Sequence, residues 1–358
     1  MPVENGPMIR SEESTASGAE GGGLTPLRLT LVIPAFNEAR RFDDGVTRLL
    51  AAVTSGGIDP ETTEFVVVDD GSTDDTAARA ETLFGQFPHR RIVRLAENRG
   101  KGAAVRAGVT AASAPLIAFA DADMAIDPSQ TPEFLRALAR ADLAIGSRAA
   151  VGASVDRPNL RRSVMNRAFN QLVNVVTRVS LSDTQCGYKA FRAPAAKLLF
   201  HCSITERFAF DVEILTLARR LGLSIAEVPV HWSRVRGSRV RPWLDPGTMT
   251  RDVVRASRRA KSAPPVPALT VDPGRGRAGD PDTSVALKAL VQELAPFLPV
   301  VRQADGSLLV LCPLMTEAQI AGTAARITSY FPRAAPRRSL LTTAQLIARA
   351  PLSLSADS

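Results

Sequence analysis

The chain has 358 residues, 45% of them hydrophobic, with 44 Lys and Arg against 36 Asp and Glu for a formal charge of +8; it is too long for one ordinary domain and long enough to bury a large core. That charge admits phosphorylated ligands, anionic lipid or nucleic acid, but aromatic residues make up only 5%, too few for the stacking that nucleic-acid binding asks for, and no nucleic-acid partner is expected. Cys186, Cys202 and Cys312 are odd in number and form no CxxC pair, which argues against a disulfide framework or a structural zinc site and for a reducing, cytoplasmic setting.

In chain order, residues 1–26 are rich in Gly, Ser and Glu and read as a disordered tail. The first residues have neither the basic start nor the apolar stretch of a signal peptide. No run of the sequence approaches the roughly 18 apolar residues of a membrane span. From 27 to 260 strands and helices alternate, with strands expected near 29–34, 64–70, 91–95, 116–121 and 142–146 and helices near 39–53, 74–86, 100–112 and 131–140. This rhythm predicts an α/β domain built on a doubly wound, mostly parallel sheet with helices on both faces. A polar and basic helix over 157–179, a loop SDTQCGYKAF, a helix over 209–221 and a strand over 223–231 follow as an acceptor region laid against that sheet.

Residues 261–283 hold five Pro and three Gly without apolar periodicity and read as a linker. Beyond it, 284–358 reads as a small, separate α+β module: helix SVALKALVQELAPFL, a hairpin turning at Asp305 and Gly306, and helix TEAQIAGTAARITSYF. At this size it could fold alone, though marginally.

Three of the apolar runs, LTLVIPAFNE, EFVVVDDGSTDDT and PLIAFADADM, break off into carboxylates at Glu38, at Asp69 and Asp70, and at Asp121 and Asp123. Strand ends of a parallel sheet meet along one edge, where open α/β sheets bind ligands. A cluster of acids there suits an oxygen-ligated divalent metal and a phosphorylated ligand. Asp121 and Asp123 are the metal candidates, for Mg²⁺ or Mn²⁺, and Asp70 is placed to accept from a nucleobase. Pro34, Asn37 and Glu38 at the end of the first strand, Asp121, and Lys101 at a helix start complete the nucleotide-sugar set. ENRGKGAAVRAG matches neither GxxxxGK[ST] nor GxGxxG, so it is not a P-loop or a dinucleotide fingerprint. Asp211, in the apolar stretch RFAFDVEIL, is the candidate general base. Asp183 and Gln185 border the acceptor side. The helix TRDVVRASRRAKS, 250–262, would touch anionic lipid headgroups weakly or close the domain as a solvated helix.

In order and spacing, these elements resemble glycosyltransferases of family 2, GT-A type. The strings DTQCGYK at 183–189, ERFAFDVE at 206–213 and EVPVHWSRVRGSRV at 227–240 narrow the resemblance to the polyprenyl-phosphate sugar synthases, especially the dolichyl-phosphate β-glucosyltransferase group, over residues 29–258. The resemblance implies an inverting, metal-dependent hexosyltransferase using a nucleotide diphosphate sugar, UDP-glucose first, and a polyprenyl phosphate. It implies that Asp70 binds the base, Asp121 and Asp123 the metal and diphosphate, and Arg148 the acceptor. The ionised acceptor phosphate would be positioned by Arg148, Arg161 and Arg162, and Arg239 stands where the group carries a Lys. Asp211 and Asp183 are the catalytic candidates.

Three alternatives stand beside this reading. One keeps the donor chemistry and moves the sugar to a soluble hydroxyl acceptor. The others are a nucleotidyltransferase, which would show a Gly-rich loop where PAFNEARR stands, and a non-catalytic sugar-nucleotide binder, which would lack an acidic ligand.

Overall fold

The structure, a computed structural model, describes residues 25–156, 160–233, 255, 265–272, 281–303, 307–331 and 336–348. Strands β1 (Leu29–Ala35), β2 (Thr63–Asp69), β3 (Arg90–Arg94) and β4 (Leu116–Ala120) are parallel neighbours in a sheet completed by β5 (Leu143–Ser147), β7 (Tyr188–Arg192) and β8 (Ile225–Pro229). Its order is β3-β2-β1-β4-β7-β5-β8. Alternate side chains of each strand go to opposite faces, and both faces are buried, which is why these strands read as continuous apolar runs. Val32, Val66, Val68 and Phe119 join Phe191, Phe200 and Phe210 on one face. Leu31, Ile33, Phe65 and Val67 join Phe42, Phe84 and Phe134 on the other. The chain winds outward from β1 to β3 and returns at β4 beside β1, so the switch point lies between β1 and β4.

Helices α1 (Phe42–Thr54), α2 (Thr76–Phe84), α3 (Lys101–Ala111) and α4 (Thr131–Ala137) fall where the pattern placed them. Acids at the starts of α1 (Asp43, Asp44) and α7 (Phe210–Arg220; Asp211, Glu213) complement the helix dipole, and Arg219 and Arg220 close α7. The expected 157–179 helix is α5, Leu160–Thr177, and the expected last strand divides into β8 and the two-residue β9 (His231–Trp232), which pairs with β6 (Ser154–Val155).

One expectation fails in this region. YKAF, read as the end of a loop, is β7, running antiparallel between β4 and β5, and helix α6 (Ala193–Cys202) follows it directly. The charge of Lys189 breaks the apolar run in the sequence but is neutralised in the fold by Asp211.

The linker expectation for 261–283 also needs correction. Val266–Val271 form β10, at the centre of a second sheet ordered β11-β12-β10-β13, with β11 Val300–Arg302, β12 Leu308–Leu311 and β13 Arg337–Leu341. With helices α8 (Pro281–Leu294) and α9 (Glu317–Tyr330) the order of elements is βαββαβ, the split βαβ arrangement. A capping box between Thr316 and Gln319 starts α9. A short helix α10, Thr343–Ala348, follows β13. One face of this sheet, Leu269, Val271, Leu308 and Val310, packs under the module's own helices with Leu290 and Ile327. The other face, Val266, Ala268, Leu309, Leu311 and Leu341, shares a core with Leu198, Leu199, Phe200 and Cys202 of α6. One face of the module's sheet is thus covered by its own helices and the other by α6, so the module packs against the catalytic domain through an apolar sheet face. Residues 1–24, the hairpin tip at Asp305 and Gly306, and 250–262 apart from 255 lie outside the described residues.

The junction contains a histidine. Leu314 N–H donates to His201 Nδ1 at 3.1 Å, so Nε2 carries the proton toward the Pro265 carbonyl, also at 3.1 Å. Burial first, and the charge of Arg106, hold the His201 pKa below its ordinary 6.5. A histidine kept neutral by folding contributes stability above the unfolded value that is lost as pH falls below it. The melting temperature is therefore expected to fall between pH 7 and 5.5, and less steeply in His201→Gln, whose amide offers one donor and one acceptor without titrating. Equal slopes in both proteins would remove His201 as the cause.

Candidate active site

At the carboxyl ends of β1, β2 and β4 the sequence has placed small or acidic residues in tight turns. Asn37 takes a left-handed φ of 52°, which Asn tolerates, and ties two strand ends together: its N–H donates to Ser72 Oγ at 2.9 Å and its Oδ1 accepts from Thr73 N at 2.9 Å. Pro34 lies on β1 opposite Val68. Glu38 turns back to Arg41 in an ion pair, and its N–H donates to Thr76 Oγ1.

Asp70, 2% exposed, does not face the site as an open carboxylate. Its Oδ1 accepts from Arg99 N at 2.9 Å and its Oδ2 from Gly100 N at 2.7 Å and Asn98 Nδ2 at 2.9 Å. Burial raises its pKa, opposed by the Arg99 and Gly100 amides and reinforced by Asp69. Asp70 therefore anchors the 98–102 loop. Asp69 is likewise engaged, accepting from Ser72 N.

Asp121 ends β4 and pairs with Lys101, the first residue of α3. Burial would lower the Lys101 pKa, but the charges of Asp121, Asp211 and Asp123 outweigh it and hold the ammonium protonated. A Cβ at Gly187 would fall 2.2 Å from Asp121 Oδ2, so only glycine at that position leaves the carboxylate in place. Asp123, in a turn that gives Met124 a φ of 44°, is pushed up in pKa by burial and then by the charge of Asp121. A small cavity of about 20 Å³ beside Asp121 is walled by Met124, Ile126 and Trp232.

Among the described residues no group of three or more His, Cys, Asp or Glu is gathered for a metal. Two adjacent carboxylates nevertheless fit a hard cation that binds through one or two carboxylates plus substrate phosphates, as Mg²⁺ does. Both donors are oxygens, and the like charges held together at Asp121 and Asp123 are what a cation would offset.

Arg148, Asp183 and Gln185 are the acceptor candidates of the sequence. Arg148 holds Asp183 by a two-pronged contact, Nε to Oδ2 at 2.7 Å and Nη2 to Oδ1 at 3.0 Å. Burial would raise the Asp183 carboxyl, but the hydrogen bonds and charge of Arg148 hold it below the usual carboxylate range. That makes Asp183 a poor base and a good anchor. Gln185 N–H also donates to Asp183, at 3.2 Å, while its buried Nε2 has no partner among the described residues. Arg161 and Arg162 lie on α5, their side chains outside the described residues, as are Arg234, Arg236, Arg239 and Arg241.

Asp211, read as a base, accepts from Lys189 Nζ at 2.7 Å, and Lys189 is fully buried and also donates to the Cys186 carbonyl. Lys101 and Lys189 lie 5.8 and 5.5 Å from the Phe119 ring centroid. Lys189 and Glu213 were not legible as site residues. Glu213, fully buried, accepts from Ser203 Oγ and the amides of Ile204 and Thr205. The signal for both was a charge inside an apolar run. Lys189→Met would strand Asp211 in the interior; breaking a buried pair costs about 3–5 kcal/mol. Thermal melting should show that loss, with partial recovery in Lys189→Met/Asp211→Asn, whereas equal melting of wild type and single variant would count against the pair.

A strand-end carboxylate pair with a lysine at the switch point of a mixed, mostly parallel sheet is the arrangement expected of a GT-A fold. A family profile described as Glycosyl transferase family 2 matches residues 30–200. The dolichyl-phosphate beta-glucosyltransferase of Drosophila melanogaster is 38% identical over 236 residues, 62% of this chain and 72% of that protein. The Homo sapiens protein of that name is 34% identical over 235 residues, with the same two shares of 62% and 72%. The chain belongs to glycosyl transferase family 2, and the nucleotidyltransferase reading is set aside. Among solved structures, glucosyl-3-phosphoglycerate synthase from Mycobacterium tuberculosis shares 23% identity at a TM-score of 0.49, over 66% of this chain and 81% of that one, a distant likeness from which nothing about the reaction follows. No helix of the described residues is long and apolar enough to cross a membrane.

Proposed function

We propose that this chain transfers a hexose with inversion from a nucleoside diphosphate sugar, glucose from UDP-glucose in the first instance. The observation that carries the reading is the cluster of Asp121, Asp123 and Lys101 beside the loop anchored by Asp70. Asp121 and Asp123 would hold Mg²⁺ or Mn²⁺, which when bound supplies Lewis-acid stabilisation of the departing diphosphate. Lys101, kept protonated by its carboxylate neighbours, contributes a second positive charge to that leaving group.

Two acceptor classes fit, and they differ in one requirement. A soluble hydroxyl compound needs a base; the polar groups gathered at Arg148, Asp183 and Gln185 support a polar acceptor of this kind. A polyprenyl phosphate, the class contained in the relatives' names, arrives ionised and needs none. Contact with a membrane surface would accompany the second class.

The test is incubation of purified protein with Mg²⁺ or Mn²⁺ and a panel of nucleotide sugars, with polyprenyl phosphate, with soluble acceptors and with neither. Release of UDP from UDP-glucose that depends on one acceptor class is expected. No nucleoside diphosphate from any combination would overturn the assignment.

A further inference from the structure

The βαββαβ module reaches the site through one short segment. Its sheet covers α6, and His201, near the end of that helix, is held by Pro265 and Leu314 on either side of its ring. The last turn of α6 is in turn gripped from α3: Arg106 donates to the Phe200 carbonyl at 3.1 Å and to the Ser203 carbonyl at 2.5 Å. Glu213 gathers Ser203, Ile204 and Thr205 into a fixed turn. That turn delivers the Thr205 and Glu206 carbonyls against the start of α3. Glu206 O accepts from Ala103 N at 3.0 Å. A Cβ at Gly100 would lie 2.7 Å from Glu206 O, and one at Gly102 would lie 2.6 Å from Thr205 O. Arg99 pairs with the Glu206 carboxylate. Between the two glycines sits Lys101, paired with Asp121, and the amides of Arg99 and Gly100 hold Asp70.

We propose that the C-terminal module is a positioning element for the 98–102 loop, acting through α6 and residues 203–207. The proposal rests on the reading of that loop as part of the nucleotide-sugar site. The contacts are continuous and packed without slack, so a shift of α6 moves the 203–207 turn and with it the backbone that places Lys101. The βαββαβ sheet face that lacks helices of its own is thereby used inside the chain.

The test uses the full-length chain with His201→Ala, which removes two hydrogen bonds at the junction, and Leu311→Glu, which puts a charge on the docking face. Hydrogen exchange is read at the amides of Arg99, Gly100 and Ala103 and, as a control on the opposite core, at Phe65 and Val67. Faster exchange at the first three, by about tenfold, with the controls unchanged, is expected. The KM for UDP-glucose should rise about tenfold with kcat within about threefold. Unchanged exchange at 99–103 in folded variants would overturn the proposal. Failure of both variants to fold would overturn it too, because a positioning role requires a catalytic domain that survives loss of the contact. Faster exchange with an unmoved donor KM would keep the brace and remove the loop from the nucleotide site.

Discussion

Asp123→Asn is expected to abolish transfer and, in the same protein, to raise the melting temperature measured without divalent metal. The two effects have one cause. Asp123 is pushed up in pKa by burial and by the charge of Asp121. A carboxyl whose folded pKa exceeds its unfolded value binds its proton more tightly when folded. Its favourable contribution is present below the unfolded value near 3.8 and is lost as pH rises through the folded one. At neutral pH the ionised side chain therefore costs stability that a neutral amide of the same shape does not. The Ala125 amide, which donates to Asp123 Oδ1 at 3.2 Å, still finds an acceptor in Asn. A gain of roughly one to three degrees without metal is expected. Activity should fall by more than the roughly 10- to 100-fold typical of residues one step removed from a metal. Adding Mn²⁺ and UDP should raise the melting temperature of the wild type and leave the variant unmoved. Full activity in Asp123→Asn, or a lower melting temperature without metal, would sink this account.

Much of the catalytic fold was legible because its strands are buried on both faces and end in acids. An apolar run such as FVVVDD states both facts at once: the pairing of β1, β2 and β4 and the position of Asp69, Asp70 and Asp121 follow from it. What stayed hidden depended on partners distant in sequence. YKAF did not read as a strand because Lys189 looks like solvent, and only Asp211, 22 residues on, makes it buried. Nothing local to Asp70 says that the amides of residues 99 and 100, 29 and 30 residues away, donate to its oxygens. VPALTV lay between Pro- and Gly-rich flanks, and its alternation spans six residues, too few to stand out against them. Asp211 illustrates the limit best: burial in an apolar stretch correctly marked it as unusual, but the neighbour that determines its chemistry is a lysine on another element.

That pairing reshapes the experiment that separates the two acceptor classes. Asp211→Asn keeps an oxygen in reach of Lys189 and removes the negative charge, so a folded variant isolates the question of base catalysis. Because Asp211 Oδ1 is already taken by the Lys189 ammonium at 2.7 Å, it is not open to a hydroxyl, and kcat is expected to fall less than about tenfold; loss of a working general base would cost about 10²–10⁴. The companion change needs more care. Arg148→Ala alone would strand the Asp183 carboxylate, 7% exposed, and confound binding with stability. Arg148→Ala combined with Asp183→Asn removes the cation without that residue of charge. With a phosphate acceptor, the double variant should raise acceptor KM by about 10- to 100-fold, the worth of a charge-assisted contact, while donor KM holds. Steady-state kinetics with both acceptor classes, over a range of pH, provides the comparison. A collapse of kcat in folded Asp211→Asn, with acceptor KM unmoved in the double variant, would assign the acceptor to the hydroxyl class and make Asp211 its base despite the lysine beside it.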